Sequence, residues 1–215
     1  MNSQQTTSPS LDFAAGIEEL SKRDRDLARI ITNYGYPDPW QRKPGFATLI
    51  QIILEQQVSY ASAKAAFKRL KGAVDDLNPE SFLTLNDEQL KKIGFSRQKT
   101  RYGRILAQAI LDRSLDLKGL EKLPDAEIRK QLTAIKGIGD WTVDIYLMMA
   151  LQRQDVFPRK DLAVAIAVKE IKNLPIRPPA AQLETIAEAW KPYRAIATKI
   201  LWHYYLNRKS RSTKN

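Results

Sequence analysis

A chain of 215 residues with 43% hydrophobic content is long enough for one large packed unit or two small ones. Its 35 Lys and Arg outnumber 24 Asp and Glu, for a net charge of +11; that excess favours a polyanionic partner, nucleic acid above all, only modestly over a plain basic soluble protein. The lack of cysteine excludes disulfides, thiolate zinc sites and cysteine-ligated iron–sulfur clusters, and with His203 as the one histidine no histidine-built metal site is expected.

In chain order, residues 1–10 are polar, lack the apolar core of a signal peptide and are expected to be disordered. Ala14–Tyr34 is periodic and predicts a helix that stops at the turn-rich Gly35-Tyr36-Pro37-Asp38-Pro39. Phe46–Gln57 repeats apolar residues at Phe46, Leu49, Ile50, Ile53 and Leu54; Ser59 then caps a helix to about Leu70. Asn86 caps Asp87–Ile93, which Gly94 terminates, and Gln98–Leu111 is a further helix. Asp125 is expected to cap a helix through Ala134, Asp161 to open Leu162–Ile171, and Ala180–Tyr205 to hold one or two more helices. The basic stretch from Asn207 to Asn215 reads as a fraying tail. No segment alternates like a strand and no repeat of 20–50 residues is visible, so the expected class is all-α, with about ten helices. No apolar run approaches the roughly 20 residues needed to span a bilayer, so an intracellular protein without membrane contact is expected.

Residues 132–146 carry the most information. Gly137-Ile138-Gly139 separates two segments of helical apolar spacing, Leu132 and Ile135 before it and Val143, Ile145, Leu147 and Met148 after it. Each glycine costs a helix about 1 kcal/mol relative to Ala, so the pair predicts a tight hairpin between helices. Without Cβ atoms the glycines admit close approach of another backbone, and the first N–H groups of the second helix point outward, ready for a phosphate.

Three motifs in order then point to a family. Leu132-x-x-Ile135-x-Gly137-Ile138-Gly139 with Trp141, Thr142 and the downstream Asp161 resembles the helix-hairpin-helix DNA glycosylase superfamily. Ile52-Ile53-Leu54-Glu55-Gln56-Gln57-Val58-Ser59 and Trp190-Lys191-Pro192-Tyr193-Arg194 with Trp202 are similar to signatures of its 3-methyladenine DNA glycosylase II, or alkylation-repair, branch. The resemblance covers roughly residues 20–206. It implies a two-lobed helical fold with the active site in the cleft between lobes: residues 48–155 carrying the hairpin, and 11–47 with 156–206 forming the other lobe. It also implies an enzyme that flips an alkylated purine out of duplex DNA and hydrolyses its N-glycosidic bond, initiating base excision repair as a monomer.

The resemblance assigns roles residue by residue. Asp161 matches the catalytic aspartate, whose carboxylate stabilises the oxocarbenium-like sugar and directs water to it; an ordinary helix N-cap is the plainer account, and the two are compatible. Trp141 stands where bifunctional members carry a Schiff-base lysine and is also assigned to the base pocket; an indole forms no Schiff base, which implies a monofunctional enzyme. Lys130 and Lys136 do not match that lysine and read as phosphate contacts or a solvated face. Trp202 matches a pocket aromatic that stacks on a cationic base, with simple core packing as the alternative. Ile145 and Leu162 stand where bacterial relatives carry tyrosines, implying a different substrate range. Gln57 matches the intercalating wedge that fills the hole left by a flipped base, or is a polar helix end, with Gln56 fastening that turn. Arg194 is expected to hold the C-terminal helices together.

Gly137, Gly139 and Lys136 are assigned to a DNA phosphate. The carbonyls of Thr133, Ile135 and Ile138 are assigned to a possible monovalent cation bridging to it, oxygen-only ligation suiting a hard ion. No cofactor is required and no iron–sulfur cluster is expected. Arg97, Lys99 and Arg101 read as a solvated basic face. A non-enzymatic DNA-binding module and a bifunctional glycosylase/lyase remain the rival functions.

Overall fold

The computed structural model describes residues 13–211, the last three of them as backbone; the segment expected to be disordered, 1–10, lies outside the described residues. Among the described residues the protein has thirteen α-helices, one 3-10 turn and no strand. Contacts divide the chain into two compact units, Met1–Trp40 with Gln152–Asn215, and Gln41–Leu151.

The first unit contains α1 (Phe13–Arg23), α2 (Arg25–Tyr34), α11 (Leu162–Ile171), α12 (Ala180–Ala187), a 3-10 turn (Glu188–Trp190) and α13 (Arg194–Arg211). Its core joins Ile17, Leu20, Leu27 and Ile30 to Val164, Val168, Ile196, Ile200 and Leu201. The single helix expected over Ala14–Tyr34 is broken at Asp24, whose extended backbone (φ −128°, ψ 108°) ends α1 while its carboxylate caps α2 through the Asp26 and Leu27 N–H groups. The apolar period runs through this break because Asp24 N still donates to Leu20 O and Asp24 O still accepts from Ala28 N. Asp24 also accepts from the indole N–H of fully buried Trp190 at 2.9 Å and from Lys172 Nζ at 3.1 Å. At the other end α13 continues to Arg211, into the stretch expected to be a frayed tail.

The second unit contains α3 (Phe46–Glu55), α4 (Tyr60–Ala73), α5 (Pro79–Thr84), α6 (Asp87–Ile93), α7 (Arg97–Leu111), α8 (Leu117–Leu120), α9 (Asp125–Thr133) and α10 (Asp140–Met149). Helix α3 is apolar nearly all round and packs on α4, α7 and α10, as a buried helix must. Asn86 caps α6 in a reciprocal capping box, and Gly94 closes it in the left-handed conformation. Asp125 is the first residue of α9 rather than its cap; Pro124 holds the cap position with no side-chain bond. The short α5 and α8 are too brief to show a period, which is why sequence patterning passes over them. Among the described residues no helix is long and apolar enough to cross a membrane.

Candidate active site and DNA interface

Within the first unit, Asp161 is the N-cap of α11, and its Oδ1 accepts the Val164 N–H at 2.9 Å. It is only 7% exposed, and a second donor, the Trp202 indole N–H, reaches the same Oδ1 at 3.2 Å. The expected N-cap is therefore present, and an aromatic side chain lies against the same carboxylate. Trp202 is half-buried, packs against the first unit's core, and sets its ring 6.0 Å from that of Trp40 at an interplanar angle of 77°. Leu162, the residue after Asp161, is 55% exposed.

Arg194 holds the segment leading to Asp161. Its guanidinium bonds both carboxylate oxygens of Asp155 at 2.6 and 3.1 Å and the Asp155 carbonyl at 3.0 Å, and also reaches Glu184 at 3.2 Å. Ala195 N–H donates to Gln154 O in the same region. This is the structural role expected of Arg194.

Within the second unit, α9 and α10 meet at the predicted hairpin. Arg129 on α9 bonds the Asp144 carboxylate on α10 and so clamps the two helices. Gly137 has φ of +99°, and a Cβ there would lie 2.1 Å from the Tyr102 ring. Gly139 caps α10, and nothing lies within 4 Å of where its Cβ would be. The two glycines thus differ: Gly137 is required by backbone and packing, whereas Gly139 keeps a surface open. Lys136 is exposed beside them, and Trp141 is half-buried in the first turn of α10. Ile145 is buried further along that helix. Lys130 pairs with Glu127 at 3.8 Å.

The cation assignment rests on carbonyls. Among the described residues no backbone bond outside the helices ends on the carbonyl of Thr133 or Ile138, while that of Ile135 accepts the Ile138 N–H at 3.0 Å. The donor set is oxygen only, suited to a hard monovalent ion.

Gln57 sits past the end of α3 with φ of +56°, in the left-handed region uncommon for a non-glycine residue. It is exposed, as are Val58 and Tyr60. The preceding residues are fixed. Glu55 pairs with Arg42 through two bonds of 2.7 and 3.0 Å; Gln56 Nε2 donates to Gly137 O at 2.9 Å and to Thr142 Oγ1 at 3.0 Å. The turn bearing Gln57 is therefore joined to the hairpin. Lys99 departs from the solvated face expected of it: Nζ donates to Leu54 O at 2.7 Å, at the C-terminal end of α3, and burial lowers its pKa. Arg97 and Arg101 are exposed.

No sequence motif reaches Trp40 or Tyr102; Trp190, part of the C-terminal signature, donates its indole N–H to Asp24, which is the physical reason for a tryptophan there.

Residues 50–192 match the sequence profile of the HhH-GPD superfamily base excision DNA repair proteins. The chain belongs to this superfamily. It is 30% identical over 192 residues to DNA-3-methyladenine glycosylase 1 of Schizosaccharomyces pombe, covering 87% of this chain and 83% of that one. In structure it is similar to the S. pombe 3-methyladenine DNA glycosylase Mag1 in complex with abasic DNA, with a TM-score of 0.81 and 28% identity over 87% of this chain and 95% of the other. A DNA-3-methyladenine glycosidase from Bacillus halodurans aligns with a TM-score of 0.69 and 27% identity, over 95% and 94% of the two chains. The all-helical HhH-GPD architecture expected from the hairpin motif is thus the architecture found.

Proposed function

We propose that this HhH-GPD protein is a monofunctional DNA glycosylase that hydrolyses the N-glycosidic bond of alkylated purines of the 3-methyladenine type in duplex DNA, initiating base excision repair inside the cell as a monomer. The observation that carries this reading is the near-buried carboxylate of Asp161, held by the α11 N-terminus and touched by the indole of Trp202.

Cleavage builds positive charge on the sugar, and a fixed carboxylate in a low-dielectric setting stabilises it without reorganising. Asp161 is already oriented by the Val164 and Trp202 N–H groups, and it directs water to the sugar cation. Trp202 offers a π face to the cationic base. Trp141, which has no amine, forms no Schiff base, so the product is an abasic site and an unbroken strand. Gly137, Gly139 and Lys136 hold the DNA phosphate while Gln57 fills the stack; the Thr133, Ile135 and Ile138 carbonyls would hold a monovalent cation, which would supply positive charge for the phosphate. No redox cofactor or iron–sulfur cluster is required.

The test compares wild-type protein with Asp161→Asn on duplex DNA bearing a methylated purine, scoring free base and strand nicks separately. Wild type releases base without nicking, and the variant loses about a hundredfold or more in rate while still binding DNA. Equal binding with no release by either protein would leave a DNA-binding module; nicking without alkali would contradict the role given to Trp141.

A further inference from the structure

Trp40 lies outside every motif discussed above, yet its ring packs edge-to-face on Trp202, the side chain that donates to Asp161. We propose that Trp40 is a positioning residue: it fixes the Trp202 indole at the angle from which its N–H meets Asp161 Oδ1, and so acts on the carboxylate through its neighbour. This inference rests on the glycosylase reading of Asp161.

Three observations converge. First, the bond from Trp202 to Asp161 is 3.2 Å long, and because an indole N–H is fixed in the ring plane, rotating the ring turns the donor away from Oδ1; hydrogen bonds weaken steeply with misalignment. Second, the contact of 6.0 Å and 77° is the arrangement in which aromatic pairs attract through their quadrupoles, and it restrains the rotation that the bond cannot tolerate. Third, Trp40 holds φ at +43°, a conformation a bulky residue seldom adopts. It does so in a stretch, residues 35–45, with no regular secondary structure. Local backbone preference therefore does not place this ring, and strain of this kind persists where surrounding contacts over-determine a position.

The consequence for the reaction is specific. A loosened Trp202 no longer donates to Asp161 Oδ1, so the carboxylate samples orientations away from the sugar. Ground-state affinity for DNA does not depend on that orientation, whereas the chemical step does.

The test uses Trp40→Leu, which removes the ring, and Trp40→Phe, which restores an aromatic edge. In single-turnover assays on duplex DNA with a methylated purine, Trp40→Leu slows base release about tenfold or more, while its affinity for abasic-site duplex stays within about twofold of wild type. Trp40→Phe recovers most of the rate. In parallel, the indole N–H resonance of Trp202, assigned by its loss in Trp202→Phe, shifts in Asp161→Asn and in Trp40→Leu but is near the wild-type position in Trp40→Phe. Wild-type release rates in Trp40→Leu, or an unmoved indole resonance, would overturn the proposal. If the wild-type protein released no base, the glycosylase reading would fall, and the indole resonance alone would decide whether Trp40 positions Trp202.

Discussion

The side-chain amide of Gln56 donates to the carbonyl of Gly137, 81 residues away in sequence, at 2.9 Å. The same nitrogen reaches the Thr142 hydroxyl at 3.0 Å, so one amide joins the end of α3 to the hairpin turn and to α10. Gln56→Ala removes both bonds and is expected to lower stability by about 1–2 kcal/mol, read as the midpoint of a urea melt. Because the turn bearing Gln57 then moves independently of the hairpin, affinity for abasic-site duplex falls further than stability alone accounts for, measured by fluorescence anisotropy under conditions where the variant is folded.

The two hairpin glycines give opposite outcomes on substitution. Gly137→Ala sets a Cβ against the Tyr102 ring at a backbone φ of +99°, and clash and strain together are expected to cost about 2–4 kcal/mol. Gly139→Ala meets no atom within 4 Å, so its melting temperature should stay near that of wild type. Its DNA affinity should drop, since the added methyl occupies the surface assigned to a phosphate. Calorimetry paired with a binding titration separates the two; a Gly139→Ala protein that binds normally would contradict the phosphate assignment.

Lys199 sets a pH dependence. It is fully buried on α13, its Nζ has no hydrogen-bond partner, and the Phe13 ring lies 5.4 Å away. Burial pushes its pKa down from 10.5 to about 8. The folded state therefore sheds this proton before the unfolded chain does, so stability rises with pH from about 8 towards 10.5. Below that window the full cost of a buried ammonium applies, about 3 kcal/mol from the size of the shift. Lys199→Met is expected to be more stable than wild type at pH 7, with the gap closing by pH 10, as followed by thermal melts across that range.

Asp24 supplies the opposite limb. Burial by itself would raise its pKa, but hydrogen bonds from Trp190 and Lys172, the Lys172 charge and the Asp26 N–H outweigh it and hold the group below its ordinary 3.8. A depressed carboxylate stabilises the fold above the unfolded-state pKa, and that contribution is lost as pH falls through the folded-state value. Asp24→Asn should cost about 1–3 kcal/mol at pH 7 by leaving Lys172 without one of its two carboxylates, and the difference from wild type should narrow progressively as pH falls below 3.8. Chemical melts at pH 7 and at successively lower pH below 3.8 make the comparison.

What the sequence revealed and what it hid follow from the range of the interactions. The cap at Asp161, the capping box at Asn86 and the glycine break at Gly137 act within a few residues, so residue type and spacing expose them. The break at Asp24 is equally local but is masked, because the apolar period and the flanking backbone bonds continue across it. Lys99 reads as one more solvated cation until the fold brings the end of α3 beneath it. Gln56 and Trp40 act through partners distant in the chain; no periodicity encodes such a meeting. The hydrophobic pattern marks the longer helices but not α5, α8 or the break at Asp24, while the contacts between helices come only with the packed units.

The indole of Trp202 spends its one hydrogen on Asp161. On the proposed reading the same ring that steadies the charge-bearing group also presents its face to the departing base. Lesion preference and rate are then written into a single side chain, and neither is adjustable at position 202 without disturbing the other. Divergence in substrate range within such a scaffold is left to neighbours that carry no second duty, and Leu162, exposed beside the carboxylate, is the position where that freedom is greatest.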